Sequence, residues 1–468
     1  MLYIDKRVSP DKVLKLLKAL KSYDTEVHQL VLMKDEEVLL ELTPVPYLPT
    51  DKRVVFSVSK SFTSTAIGMC YDKGLLKPED KVIDFFPKEL TENADDRIKR
   101  LTIHNLLCMN TAMEDRMPII ERSGNPLESF FLSAPIKDTT NIYHYDNSAS
   151  FMLAAVVKQV TGLNVIDLLN KDLFPYMNLS SCRWLNVDGI SEGYSGLYTT
   201  ARHIASLMQL YVNKGVFGGK RLLSEEWVNK ATSVQISTEG DNCWRWWTQG
   251  YGYQFWMSDK EGCRAEGAIG QTGFIFPNLK VALAHTGSIK DFDKTHDAYY
   301  EFCSDFGGES VATEKDVEKY LNELYLPLAK SDKKFAGIGN VYKMDRQYPD
   351  LTIARFSEAE EEIVCEFSND FDWQDIRLGK GKWVRNEIRC YNLIAGRVVC
   401  DVAKFQRTWF ATCCEVMDEN TLKIHLRFTD SPIIFEIILT IDGDKLSFKS
   451  CCTNFGEGGI KEYLATKI

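Results

Sequence analysis

Ser57-Val58-Ser59-Lys60 puts a hydroxyl and an amine three residues apart, a spacing with potential for covalent chemistry. A hydroxyl becomes a nucleophile when a base stands within hydrogen-bond reach, and an amine held away from water can be that base. On a helix the two side chains share one face, a turn apart. Ser-x-x-Lys occurs three times, at Ser9, Ser57 and Ser331. Ser9-Pro10-Asp11-Lys12 reads as a helix N-cap with proline at the first helical position. Ser331-Asp332-Lys333-Lys334 falls in a charged linker. Only Ser57 lies between an apolar extended run, Val54-Val55-Phe56, and a helix apolar enough to be buried. Val58, Phe62, Thr65, Ala66 and Met69 follow it at helical spacing, and Gly74 supplies the stop.

The elements around this turn suggest how it is held. An amphipathic helix is predicted over residues 10–20, then strands His28 to Met33 and Val38 to Leu42 turning at Asp35-Glu36. Pro44, Pro46 and Pro49 mark a loop leading to Ser57. From 75 to about 235 the pattern is mostly helical, with buried helices near 149–160 and at Ala201 to Val212. Beyond 251 the period becomes extended, giving strands Tyr251 to Met257, Ala268 to Phe276 and Lys280 to His285, closed by a helix at 313–326. Strands from both ends with helices between them predict an α+β unit over 1–328, an antiparallel sheet flanked by helices plus an all-helical lobe. A linker at 329–334 leads into 335–468, where strands at Leu351 to Phe356, Ile363 to Phe367, Val398 to Ala403, Trp409 to Cys414, Leu422 to Phe428, Ile433 to Ile441 and Leu446 to Cys451 predict an all-β, barrel-like domain.

The totals narrow the function. A chain of 468 residues exceeds one ordinary core, and 44% hydrophobic with 26% charged residues is a folded profile. A net charge of −10 argues against nucleic acid or an anionic membrane surface as partner. Thirteen cysteines without C-x-x-C spacing point to neither a zinc ribbon nor a disulfide framework. The start Met1-Leu2-Tyr3-Ile4-Asp5-Lys6-Arg7 carries no apolar leader core, so a reduced cytoplasmic setting is the expectation. The acidic cluster Glu358, Glu360, Glu361 and Glu362 reads as a solvated hairpin tip. No metal or cofactor is expected.

Ser57-Val58-Ser59-Lys60 with Ser61-Phe62-Thr63 resembles the nucleophile segment of the class C β-lactamase and penicillin-binding-protein superfamily. Lys73-Gly74-Leu75-Leu76, Leu101-Thr102-Ile103-His104-Asn105-Leu106-Leu107, Ser195-Gly196-Leu197-Tyr198-Thr199-Thr200 and Gly219-Lys220-Arg221-Leu222-Leu223-Ser224 are similar to further blocks of that family. Its second motif, Tyr-x-Asn, is matched at Tyr145-Asp146-Asn147, in a polar loop before a buried helix. The same pattern at Tyr211 and Tyr320 lies inside predicted helices. The resemblance implies that Tyr145 helps deprotonate Ser57 and protonates the leaving group, while Asn147 binds the substrate.

The third motif departs from the family. Where Lys-Thr-Gly or His-x-Gly is usual, the best match is Ala265-Glu266-Gly267, followed by Gly270-Gln271. The glycine admits substrate close to the backbone, and the amides of Ala268 and Ser57 would form an oxyanion hole. His285-Thr286-Gly287 is a rival that fits better by residue type. Without the cation, and unless Arg264 turns inward, a β-lactam carboxylate lacks its partner. The resemblance therefore runs towards the esterases and 6-aminohexanoate-dimer hydrolases. It implies a serine hydrolase acting through an acyl-enzyme on a small ester or amide, with catalytic Ser57, Lys60 and Tyr145 and substrate-binding Asn147, Glu266, Gly267 and Ala268. The alternative is a penicillin-recognising or acyl-sensing protein that acylates without turnover. His144 reads as a supporting or surface residue, and Trp244, Trp246 and Trp247 as candidate cleft walls.

Overall fold

In the computed structural model, residues 1–112, 124–133, 142–239, 245–348, 351–368, 373–388, 407–454 and 460–468 are described. The chain divides into two compact units. One comprises Leu2–Leu42 with Val54–Glu314, and the other Thr43–Arg53 with Lys315–Ile468 and Met1. The division falls between Glu314 and Lys315, at the first residue of the helix Glu314–Leu324. Thr43–Arg53 goes with the C-terminal unit through specific bonds. Arg385 Nη2 donates to Asp51 Oδ1 at 2.7 Å, and Arg53 Nη2 donates to the Thr429 carbonyl at 3.1 Å.

The first unit is built on an antiparallel sheet of seven strands: β1 (Leu2–Ile4), β2 (Glu26–Lys34), β3 (Glu37–Leu42), β4 (Trp256–Met257), β5 (Cys263–Gly267), β6 (Gln271–Phe276) and β7 (Val281–Ser288). Their spatial order is β1-β3-β2-β7-β6-β5-β4, so segments from both sides of the helical lobe complete one sheet. The turn at Asp35-Glu36 is tight, with φ of 50° and 67°, the left-handed pair that matches strand twist in a two-residue hairpin. Helices α1 (Pro10–Ser22), α2 (Ser59–Asp72), α3 (Asn147–Thr161), α4 (Ala201–Val212) and α5 (Phe292–Ser304) surround it. The pair α1 and α5 pack together, α4 lies on β2, β6 and β7, and α2 packs on α3 in the lobe. Strand β2 is buried at seven consecutive residues, as a strand covered on both faces must be.

Two readings from sequence needed correction in detail. Ala268 does not begin a strand: Ala268–Gly270 is a tight turn, with Ile269 at φ 64° and Gly270 at φ 103°, and β6 starts at Gln271. Of Tyr251 to Met257, only Trp256–Met257 is a strand. Tyr251, Tyr253 and Phe255 are buried by packing outside the ladder, which periodicity cannot distinguish from pairing.

The second unit carries β8 (Val341–Tyr348), β9 (Leu351–Ala359), β10 (Glu362–Ser368), β11 (Trp373–Lys380), β12 (Val384–Ile388), β13 (Thr408–Asp418), β14 (Thr421–Phe428), β15 (Ile434–Asp442), β16 (Lys445–Cys452) and β17 (Ile460–Lys467). They pair in the order β11-β10-β9-β8-β17-β16-β15-β14-β13-β12. A parallel contact of β11 with β13, Gly379 opposite Cys413, closes nine of the described strands into a barrel. Alternation is plain in β14, whose Leu422, Ile424, Leu426 and Phe428 point inward. The expected strand at Val398 to Ala403 lies outside the described residues.

Candidate active site

Ser57 sits in a single 3₁₀ turn, Phe56–Val58, that feeds directly into α2 at Ser59. The residue before it, Phe56, holds φ at 47°, a left-handed conformation unfavourable for a side chain of that size. Surrounding bonds impose it. Val55 N–H donates to the Leu197 carbonyl at 3.1 Å, and Leu197 N–H donates to Ser59 Oγ at 3.3 Å. Ser57 is half-buried, whereas Lys60, one turn on, is only 2% exposed. A reachable hydroxyl in front of a sheltered amine is the order that nucleophilic attack needs.

The Lys60 amine is fixed by three acceptors. Its Nζ stands 3.1 Å from Ser57 Oγ, 2.6 Å from Asn147 Oδ1 and 3.0 Å from the Tyr194 carbonyl. It also lies 4.7 Å from the centre of the Tyr145 ring, within the range over which an aromatic face attracts a cation. Thus Ser57, Lys60, Tyr145 and Asn147, 90 positions apart at their extremes, meet around one nitrogen.

Asn147 reaches Lys60 because it opens α3, and Asp146 sets that opening. Asp146 Oδ1 accepts from Ser148 N–H at 2.8 Å and from the Ser148 hydroxyl, while Thr111 Oγ1 donates to Oδ2 at 3.0 Å. An N-cap carboxylate of this kind satisfies first-turn amides and complements the helix dipole. Sequence reasoning passed over Asp146, although an aspartate two residues before a serine at the head of an apolar run is a legible cap signal. Tyr194, whose carbonyl holds Lys60, carried no signal at all, since a main-chain acceptor has no residue type. His144 is half-buried and its backbone N–H donates to the Met109 carbonyl at 2.9 Å.

The end of β5 runs beside Ser57. A Cβ added to Gly267 would lie 2.4 Å from the Val55 carbonyl oxygen and 3.1 Å from Ser57 N. Gly267 has extended φ, −133°, so glycine is needed here for room rather than for a special conformation. Gly267→Ala should lower kcat/KM by about 100-fold, as parting two backbones by a fraction of an ångström misplaces the reacting groups. Steady-state kinetics on protein with an unchanged circular dichroism spectrum checks this. Ala268, exposed, follows at the lip of the same strand end. His285-Thr286-Gly287 lies two strands away on β7. His285 is fully buried, with Nδ1 bonded to the Gly270 carbonyl at 2.9 Å.

A family profile described as "Beta-lactamase" matches residues 29–300, well over half the chain. The chain belongs to the beta-lactamase family. Among curated relatives, the 6-aminohexanoate-dimer hydrolase of Paenarthrobacter ureafaciens is 24% identical over 296 residues, covering 57% of this chain and 74% of that protein. Among solved structures, a putative 6-aminohexanoate-dimer hydrolase from Bacillus anthracis superposes with a TM-score of 0.51 at 16% identity over 69% of this chain and 86% of that one. The octameric penicillin-binding protein homologue from Pyrococcus abyssi gives 0.50 at 13% identity over 97% of this chain and 99% of that one. That likeness extends over the C-terminal barrel as well.

In this beta-lactamase family member the segment expected as the third motif, Ala265-Glu266-Gly267, follows Arg264 on β5. Arg264 does turn inward, and each of its three nitrogens donates to a partner within the protein. Nε bonds Glu266 Oε2 at 2.5 Å, Nη1 the Met257 carbonyl at 2.7 Å and Nη2 the Trp246 carbonyl at 2.8 Å. Glu266, expected at the substrate, spends its second oxygen on Trp247 Nε1 at 2.9 Å. Trp246 is core, edge-on to Phe274 and His296. Trp247 is half-buried and stacks on Trp256, 5.5 Å between rings at 17°. Trp244 lies outside the described residues. Edge-on to Trp256, the Tyr251 phenol is pushed well above its ordinary pKa by burial and the neighbouring Tyr145, which favours its protonated form.

Proposed function

We propose that this chain is a serine hydrolase that cleaves small esters or amides through an acyl-enzyme on Ser57. The observation that carries the reading is the buried Lys60 amine, 3.1 Å from Ser57 Oγ and 4.7 Å over the Tyr145 ring. Ser57 Oγ attacks the substrate carbonyl as its proton passes to the Lys60–Tyr145 pair. The amides of Ser57 and Ala268 bind the oxyanion, a stabilisation that commonly dominates such reactions. The C–O or C–N bond then breaks, and Tyr145 returns the proton to the departing oxygen or nitrogen. Water, deprotonated by the same pair, attacks the acyl carbon, and Ser57 regains its proton as the acid leaves. Asn147 anchors Lys60 through its carbonyl oxygen and meets the substrate through its amide. Membership of a family whose curated relative is a 6-aminohexanoate-dimer hydrolase supports this class of reaction.

The commitment of Arg264 to Glu266, Met257 and Trp246 favours substrates without a carboxylate at the third-motif position, and so esters and amides over β-lactams. Two esters sharing one chromogenic leaving group, a neutral butyrate and a succinate half-ester, test this. The neutral ester should be hydrolysed with a kcat/KM about ten- to a hundredfold higher, the factor that one missing charge-assisted hydrogen bond corresponds to. Equal rates, or preference for the half-ester, would refute that selectivity. Stoichiometric labelling without turnover would favour the acyl-sensing alternative. A reduced, cytoplasmic setting, expected from cysteine spacing in the sequence, belongs to the same reading. No single helix among the described residues is long and apolar enough to cross a membrane.

A further inference from the structure

Arg264 and Glu266 form a fully buried ion pair, with side chains 0% and 3% exposed. Such a pair is seldom kept for stability, since desolvating two charges offsets most of their attraction and apolar replacements are often as stable. Its location suggests another use. Arg264 and Glu266 alternate along β5 on one face, immediately before Gly267, which abuts the Ser57 turn. Arg264 is tied to the two main-chain carbonyls of Met257 and Trp246, so Glu266 is held from behind. Its outer oxygen accepts from Trp247 Nε1 at 2.9 Å. Trp247 lies nearly parallel to Trp256, 5.5 Å away at 17°, and Trp256 nearly parallel to Tyr145, 6.1 Å away at 13°. Offset parallel rings at these separations restrain one another's tilt.

We propose that the Arg264–Glu266 pair positions the Tyr145 phenol, acting through the indole N–H of Trp247 and the stacked rings of Trp247 and Trp256. The proposal rests on the reading of Tyr145 as proton carrier. In this arrangement the residue types at the third motif do not contact the substrate's charge. They fix the ring that lies against Lys60, so the amine bonded to Asn147 at the head of α3 also rests on an anchored aromatic stack. Trp247 and Trp256 are positioning residues, and Glu266 orients them without touching the reacting atoms.

A double-mutant cycle on the pre-steady-state acylation rate with a chromogenic ester tests it. Tyr145→Phe removes the proton carrier and should slow acylation by about 100-fold or more. Trp247→Phe keeps a ring in the stack and removes only the N–H donor. It should slow acylation about tenfold, with KM changed less than about twofold. In the Tyr145→Phe background the same substitution should cost nothing further, because there is no phenol left to aim. Arg264→Met with Glu266→Leu removes both charges together, leaving neither buried alone, and should reproduce the effect of Trp247→Phe. A Trp247→Phe enzyme that acylates at the parental rate overturns the proposal, as do losses that multiply across the cycle. Tyr145→Phe acylating at the parental rate would instead refute the role of Tyr145 itself, an outcome read from a different corner of the cycle.

Discussion

Ser57→Ala should abolish the acyl-enzyme and lower kcat by about four to six orders of magnitude, the range seen when a nucleophile that acts as a unit with its base is removed. The small residual rate comes from oxyanion binding and substrate orientation, which the substitution leaves in place. The change is mild structurally. Ser57 is half-buried, and the bond it loses is the 3.1 Å contact from Lys60 Nζ, an amine that keeps its other two acceptors, Asn147 Oδ1 and the Tyr194 carbonyl. Thermal unfolding should therefore be nearly unchanged while turnover disappears. Substrate binding should persist, so KM or the equilibrium affinity for a slow ester analogue changes little. Stopped-flow absorbance with a p-nitrophenyl ester reads the burst, and the burst should vanish.

Lys60→Ala should have the next largest effect, lowering the acylation rate by about 10² to 10⁴, the range that a positioned proton-transfer group contributes. Here the fold is touched as well, because Asn147 Oδ1, the Tyr194 carbonyl and Ser57 Oγ lose a common donor. Buried acceptors left without partners cost roughly 1–3 kcal/mol each where water cannot enter. Lys60→Arg separates the two contributions. A guanidinium restores donors and positive charge but cannot give up a proton under any useful condition. Lys60→Arg should regain much of the lost stability while remaining as slow as Lys60→Ala. Recovery of the rate in that variant would mean that the charge, not proton transfer, is what Lys60 supplies. Parallel acylation kinetics and thermal melts on the two variants decide between these.

The turn that holds Ser57 was legible because local pattern marks it. Val54-Val55-Phe56 reads as extended, the following residues read as a buried helix, and the structure puts Ser57 in the turn between them. Tyr145 and Asn147 were singled out by resemblance to the family's Tyr-x-Asn motif; the structure brings both to Lys60, while Tyr211 and Tyr320 lie within helices, α4 and Glu314–Leu324. The expected α+β unit and the C-terminal barrel are both present. Strands β8, β11, β12 and β17 escaped notice because charged and polar residues dominate segments such as Trp373–Lys380, in which only Ile376, Leu378 and Gly379 are buried. A barrel wall needs only alternate residues inside, and half a strand's sequence is then free to look like a loop.

The third motif illustrates a different limit. Ala265-Glu266-Gly267 could be aligned by eye, and Gly267 does abut Ser57. Whether Arg264 faced substrate or protein was beyond reach, because it depends on two carbonyls, of Met257 and Trp246, that converge only in the folded chain. The left-handed Phe56 and the turn at Ala268–Gly270 belong to the same class, as tertiary contacts hold conformations that local preference opposes.

The most direct test is to trap the covalent species and locate it. Enzyme mixed with a chromogenic ester, quenched in acid within milliseconds, should carry one acyl group per chain by intact mass. Digestion and fragmentation should put that mass on Ser57. Steady turnover with no covalent adduct, or an adduct on any other residue, would contradict the account at its root.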